Sequence, residues 1–187
     1  VAKAKGIEFI DGEGVSLQSE IKLNPGDSLA KMTKQVINYE KRLFYSETSF
    51  GDITDFWGLD FSVPGQYDVI YNHILTHKYY INMNIADEIP MEKAIISWFL
   101  TVYLPVIKVI EKSHTMAYFK GRTKSDMYVY IIKYWDEIKT KFGNSYPLDQ
   151  ATQSFVTKYG TPLSKRILNK IKKIIFKRSI KSDLPKP

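Results

Sequence analysis

The chain has 187 residues, 44% of them hydrophobic and 14% aromatic, with no cysteine and a formal charge of +7. That length suits one domain or one domain with an appendage, and the apolar content is ample for a packed core, which argues against global disorder. Without cysteine, disulfides, Cys-ligated zinc, iron–sulfur clusters and thiol catalysis are excluded, and the composition fits a reducing cytosol.

The charge is concentrated. Residues 161–187 carry nine Lys and Arg against the single acid Asp183, a net +8, whereas the other 160 residues carry 18 basic and 19 acidic side chains, a net −1. A near-neutral body with a cationic end calls for an anionic partner, either nucleic acid or an anionic membrane surface.

Val1-Ala2-Lys3-Ala4-Lys5 leads into no apolar run, so no signal peptide is expected, and a start without Met suggests a processed or trimmed chain. Ile7 to Ile10, Asp11-Gly12-Glu13-Gly14 and Val15 to Leu23 read equally as a small β-hairpin or an extended arm. Asn24-Pro25-Gly26-Asp27-Ser28 is a turn rich in helix caps, and a first helix is expected over 28–44, with Leu29, Met32, Val36, Ile37, Tyr39 and Leu43 apolar. The connection 46–64 is rich in Gly, Asp and aromatics. Phe50, Phe56, Trp57 and Phe61 argue that it packs down, and Leu59 to Val63 is short-strand material.

A second helix is expected from Pro64 or Gly65 to about Asn84, with Tyr67, Ile70, Tyr71, Ile74, Leu75 and Ile81 on one face. The third, from about Pro90 to Lys112, is apolar nearly all round and reads as the central helix, kinked where Pro105 lacks a donor. Its longest apolar stretch, Ala94 to Ile110, is interrupted by Ser97, Thr101, Pro105 and Lys108 and falls short of a membrane span of roughly 20 apolar residues. The fourth has Thr123 as N-cap, Asp126 at N3, a buried stripe of Met127, Tyr128, Ile131, Ile132, Trp135 and Ile138, and Gly143 at its end. A fifth is expected from Pro147 to Tyr159, stopped by Gly160. A sixth is expected from about Pro162 to Ser179, with Ile167, Ile171, Ile174 and Ile175 at helical spacing. The predicted organisation is an N-terminal arm and first helix over 1–45, a helical core domain over 46–160, and a basic amphipathic helix and tail over 161–187. The fold class is mainly α, a bundle of about six helices with an irregular N-terminal quarter.

Three patches carry a resemblance: Pro64-Gly65-x-Tyr67 with His73-x-x-x-His77-Lys78-Tyr79-Tyr80; Ile89-Pro90-x-Glu92-x-Ala94 with Ser97-Trp98-Phe99 and Val102-Tyr103-Leu104-Pro105; and Phe119-x-Gly121-Arg122-Thr123-x-x-Asp126-x-Tyr128. Over residues 44–159 the chain resembles an uncharacterised bacterial helical family often labelled transcriptional regulator, and is similar to domain-of-unknown-function family 4032. The resemblance implies a helical fold and, through its label, a contact with nucleic acid. Lys120 stands where the family carries Pro. Tyr134-Trp135 stand where it carries a His-Arg or His-Trp pair, so no role of that late His is carried over. The basic C-terminal segment lies outside the resemblance.

Three constellations could carry chemistry. His73 and His77, four apart on one helix side, have the spacing of two metal ligands. HExxH is absent, and His114, Asp68 and Glu111 are third ligands by type alone, so boundary histidines bonded to neighbouring elements are the alternative. Arg122 stands just before a helix N-terminus, where it could clamp a phosphate or simply pair with an acid. Asp52, Asp55 and Asp60 read as a solvated turn rather than a cation site. There is no nucleophile elbow, phosphate-binding loop or dinucleotide fingerprint. The reading is therefore a cytoplasmic, bacterial, non-enzymatic binding or regulatory domain with no cofactor. Its partner is nucleic acid, contacted through Arg122, Lys165, Arg166, Lys170, Lys172, Lys173, Lys177 and Arg178. The alternatives are a protein-interaction or anionic-membrane-surface module, in which a protein or anionic lipid meets the same segment, and a metal-dependent enzyme using His73 and His77.

Overall fold

A computed structural model describes residues 26–53, 58–85 and 87–161. Helix α1 spans Leu29–Thr48, with the Ser28 hydroxyl accepting the Lys31 N–H at 3.3 Å as its N-cap. A single turn, α2 (Phe50–Ile53), follows. Helix α3 (Gln66–Asn82) begins after Gly65, whose φ of 81° favours glycine and whose N–H donates to both Glu40 carboxylate oxygens, pinning the entry of α3 to α1. Helix α4 (Met91–Trp98), a π-turn (Phe99–Tyr103) and α5 (Leu104–Lys112) form one continuous helical run. A 3₁₀ turn (Thr115–Ala117) leads to α6 (Lys124–Phe142) and α7 (Leu148–Tyr159).

The protein is mainly helical, and five of the expected helices stand where the apolar spacing puts them. The sixth, over 162–179, and the N-terminal hairpin or arm lie outside the described residues, as do Asp55, Phe56 and Trp57. Two expectations need correction. Leu59 to Val63 is not a strand, and none occurs among the described residues. Leu59 and Phe61 are nonetheless buried, and the backbone finds side-chain partners instead: the Tyr67 hydroxyl donates to the Leu59 carbonyl at 2.8 Å, and the Ser62 N–H is taken by Asp126. Leu29, Leu43 and Leu75, apolar positions of the first two expected helices, are exposed, because α1 and α3 bury narrower stripes centred on Ile37 and Phe44 and on Tyr67, Ile70 and Ile74.

The central helix behaves as its all-round apolarity suggests. Ala94, Ile95, Trp98, Phe99, Tyr103, Val106, Ile107 and Ile110 are buried, with α3, α6 and α7 packed against the run. Ahead of Pro105 the chain shifts into π-turn geometry, and the Leu104 N–H reaches back five residues to the Phe99 carbonyl. The slip accommodates a position with no donor. Met91–Lys112 is also long and apolar enough to cross a membrane by length and composition, so the shortfall read from the interrupted stretch does not hold. Bundle core helices pass that same test.

Aromatic residues dominate the centre, and the hydroxyls of Tyr67, Tyr103 and Tyr128 are paired. The Tyr103 and Ser125 hydroxyls share a 2.8 Å hydrogen bond. Burial pushes the Tyr103 phenol up to about 12 and raises Tyr67 and Tyr128 as well, so all three are neutral at ordinary pH.

Candidate anion-binding site

The site begins at the N-terminus of α6. Thr123 caps the helix through its hydroxyl, which accepts the Asp126 N–H at 3.0 Å, and Asp126 reciprocates by accepting the Thr123 N–H at 2.8 Å. This is a complete capping box. Asp126 is fully buried and does more than cap. It accepts the Ser62 N–H at 3.1 Å and the Ser62 hydroxyl at 2.6 Å, across 64 residues of sequence. The capping box, with its own carboxylate, thus takes up donors at this terminus that an external phosphate would need. Any anion binding by Arg122 rests on its side chain.

That side chain is exposed. Its Nη1 donates to the Ser62 Oγ at 3.2 Å, so the guanidinium is oriented by the same serine that serves Asp126. Its remaining N–H groups meet no carboxylate among the described residues. Lys120, two residues earlier, is also exposed. The described chain ends at this loop: the Thr161 N–H donates to the Tyr118 carbonyl at 3.3 Å, and Phe119 and Phe155 of α7 have ring centroids 5.4 Å apart. Gly160 is required here by space, since a Cβ would lie 2.4 Å from the Val156 carbonyl oxygen and 3.1 Å from the Tyr118 Cβ. Residues 162–187, with Lys165, Arg166, Lys170, Lys172, Lys173, Lys177 and Arg178, lie outside the described residues.

The two histidines turn to different neighbours. His73 Nδ1 is 3.1 Å from the Tyr128 hydroxyl of α6, and His77 Nε2 is 2.9 Å from the Ser97 hydroxyl of α4. No group of three His, Asp or Glu side chains suited to a metal ion occurs among the described residues. On a helical wheel His73 lies farther from the apolar stripe than His77. The packing of α6 against α3 gives it a fully buried partner that periodicity does not show. Asp60 is exposed and pairs with Lys41 at 2.8 Å. Between α1 and the 59–67 stretch runs an open groove of about 820 Å³ lined by Leu29, Ile37, Phe61 and Tyr67, with Lys34 and Lys41 beside them.

Burial holds the His73 imidazole below its usual range, the charge of Asp136 opposing this, and burial lowers His77 too. The folded state therefore favours neutral rings. Their contribution to stability is complete above about pH 6.5 and is lost as pH falls below it, because the unfolded chain binds the proton first. The urea midpoint is expected to fall between pH 7 and 5, and His73→Gln, which can still accept from Tyr128, to flatten that fall. A His73→Gln profile parallel to wild type would remove His73 as the source.

No protein-family model, curated protein or solved structure matches the chain.

Proposed function

We propose that this protein is a non-enzymatic binding domain whose C-terminal segment, residues 161–187, contacts the phosphates of nucleic acid. The observation that carries the reading is the segregation of charge, +8 in that segment against −1 in the other 160 residues. A cationic cluster of this density neutralises phosphates and releases their counterions, a contribution that does not depend on base sequence. The segment holds seven Lys and two Arg, which favours phosphate contact over bidentate base recognition. Arg122 supports the reading from the body: it is exposed, meets no carboxylate among the described residues, and stands four residues from Tyr118, whose carbonyl accepts the Thr161 N–H.

Fluorescence anisotropy with a labelled DNA duplex tests this. Affinity is expected to fall by about 10³ or more between 50 and 200 mM salt if six or more phosphates are neutralised. Replacing Lys170, Lys172 and Lys173 with Gln is expected to lower the slope of log K against log salt by about 3. A slope near zero, or one untouched by this triple change, overturns the reading.

A further inference from the structure

We infer that the groove between α1 and the 59–67 stretch is a docking site for an extended, acidic peptide segment of a partner protein, which supplies the second strand that Leu59 to Ser62 lacks. The site is lined by described residues and is independent of phosphate binding by the C-terminal segment.

Helix α1 turns one face toward the body. Ala30, Thr33, Ile37 and Phe44 fall on it at helical spacing. Only the later half of that face is covered. Ile37 and Phe44 are buried, and the rings of Phe44 and Tyr67 have centroids 5.5 Å apart. Glu40, which accepts the Gly65 N–H, and Lys41, paired with Asp60 at 2.8 Å, hold this half to the body. N-terminal to Ile37 the helix runs on, with Ala30 exposed and Leu29 79% exposed. The space beneath is the groove of about 820 Å³, a volume usual for ligand sites, floored by Ile37, Phe61 and Tyr67.

The opposite wall is backbone. Side chains alternate along it: Leu59 and Phe61 are buried, Asp60 is exposed and Ser62 is half-buried. Side chains take the Leu59 carbonyl and the Ser62 N–H, but the backbone N–H and C=O groups of Asp60 and Phe61 meet no partner among the described residues. Strand addition uses such a chain: main-chain hydrogen bonds hold the peptide, and its alternate side chains enter the apolar floor. An acyl chain would fill the floor but pair none of these backbone groups.

Charge sets the rest of the partner's chemistry. Lys34 lines the groove, is exposed and forms no ion pair among the described residues. Arg122 stands behind Ser62, its Nη1 donating to the Ser62 Oγ at 3.2 Å. Asp60, the acid of the lining, is already engaged by Lys41. The segment that fits alternates apolar and polar residues and carries a carboxylate.

Fluorescence anisotropy of the full chain with a fluorescein-labelled peptide of alternating Val and Thr, ending in Glu, tests this. Saturable binding is expected. Lys34→Glu is expected to weaken it about tenfold and to favour a counterpart peptide ending in Lys. Ala30→Trp, at a position the fold leaves exposed, fills the groove and is expected to abolish binding while the circular dichroism spectrum stays that of wild type. N-methylation of alternate peptide amides is expected to cost about tenfold in one register and little in the other, because only one set faces Asp60 and Phe61. No binding to wild type, or binding untouched by Ala30→Trp, overturns the inference. Equal affinity in both N-methylated registers, with displacement of the peptide by laurate, overturns it in favour of an apolar amphiphile. Self-association of the chain that excludes the peptide overturns it in favour of a second copy. Each of these failures leaves duplex binding through residues 161–187 standing, and the Gln variant of Lys170, Lys172 and Lys173 is expected to bind the peptide as wild type does.

Discussion

Asp126→Ala is expected to lower the unfolding free energy by about 3–4 kcal/mol, from the net worth of charge-assisted hydrogen bonds and the penalty on buried donors left without partners. The carboxylate accepts the Ser62 N–H, the Ser62 hydroxyl and the Thr123 N–H, so one truncation frees three donors and opens the capping box. The loss is less than three separate hydrogen bonds because water reaches the half-buried Ser62 and Thr123. Asp126→Asn keeps the shape but sets an amide N–H against at least one of the donors, and is expected to cost about 2 kcal/mol. Urea unfolding measures both. Equal losses for Ala and Asn would assign the effect to the charge alone, and a loss below about 1 kcal/mol for Ala would show that Asp126 does not join the 58–65 stretch to α6. Arg122 is oriented through the same serine, so Asp126→Ala is also expected to weaken the contribution of Arg122 to duplex binding.

Trp98→Ala is the second large effect, at about 3–5 kcal/mol, the range for removing a buried indole without collapse of the space it leaves. Trp98 is fully buried, its ring 5.4 Å from that of Tyr103 and edge-on to Tyr128 at 5.9 Å. It is the last residue of α4 before the π-turn, where the helical register is already displaced. Its indole N–H makes no hydrogen bond of ordinary geometry, although it pulls the Tyr128 phenol down against the upward push of burial. Trp98→Phe removes that N–H and leaves a smaller void, so about 1–2 kcal/mol is expected. For a domain of this size the Ala variant should melt roughly 6–20 °C lower. A Trp98→Ala melting point within a degree or two of wild type would mean that the side chain does not centre the core.

The helices are largely legible in the sequence because their signals are local. The Thr123 and Asp126 spacing announces the capping box of α6, apolar residues at three- and four-residue intervals place α3 and the central run, and Gly143 and Gly160 mark real helix ends. Apolar spacing does not by itself say which positions are covered. Leu29, Leu43 and Leu75 share a helical face with core residues yet remain exposed, since how wide a stripe is covered depends on which neighbours pack there. The apparent strand at Leu59 to Val63 fails for a related reason: its alternation reflects two side chains turned into the core, with no second strand to pair the backbone.

Sequence by itself determined the mainly helical character of the body, the ends of its described helices and the separation of a +8 segment from a neutral remainder. These follow from backbone hydrogen bonding within a few residues, from the helical period and from counting charges. Tertiary structure alone decided that Ser62 meets Asp126 and Arg122, that His73 meets Tyr128 instead of sharing a ligand with His77, and that Thr161 lies against Tyr118. Those pairs are 43 to 64 residues apart, and no local rule links such positions. Their proximity is set by how the helices share one core, because burying the apolar stripes fixes which polar side chains are left facing each other.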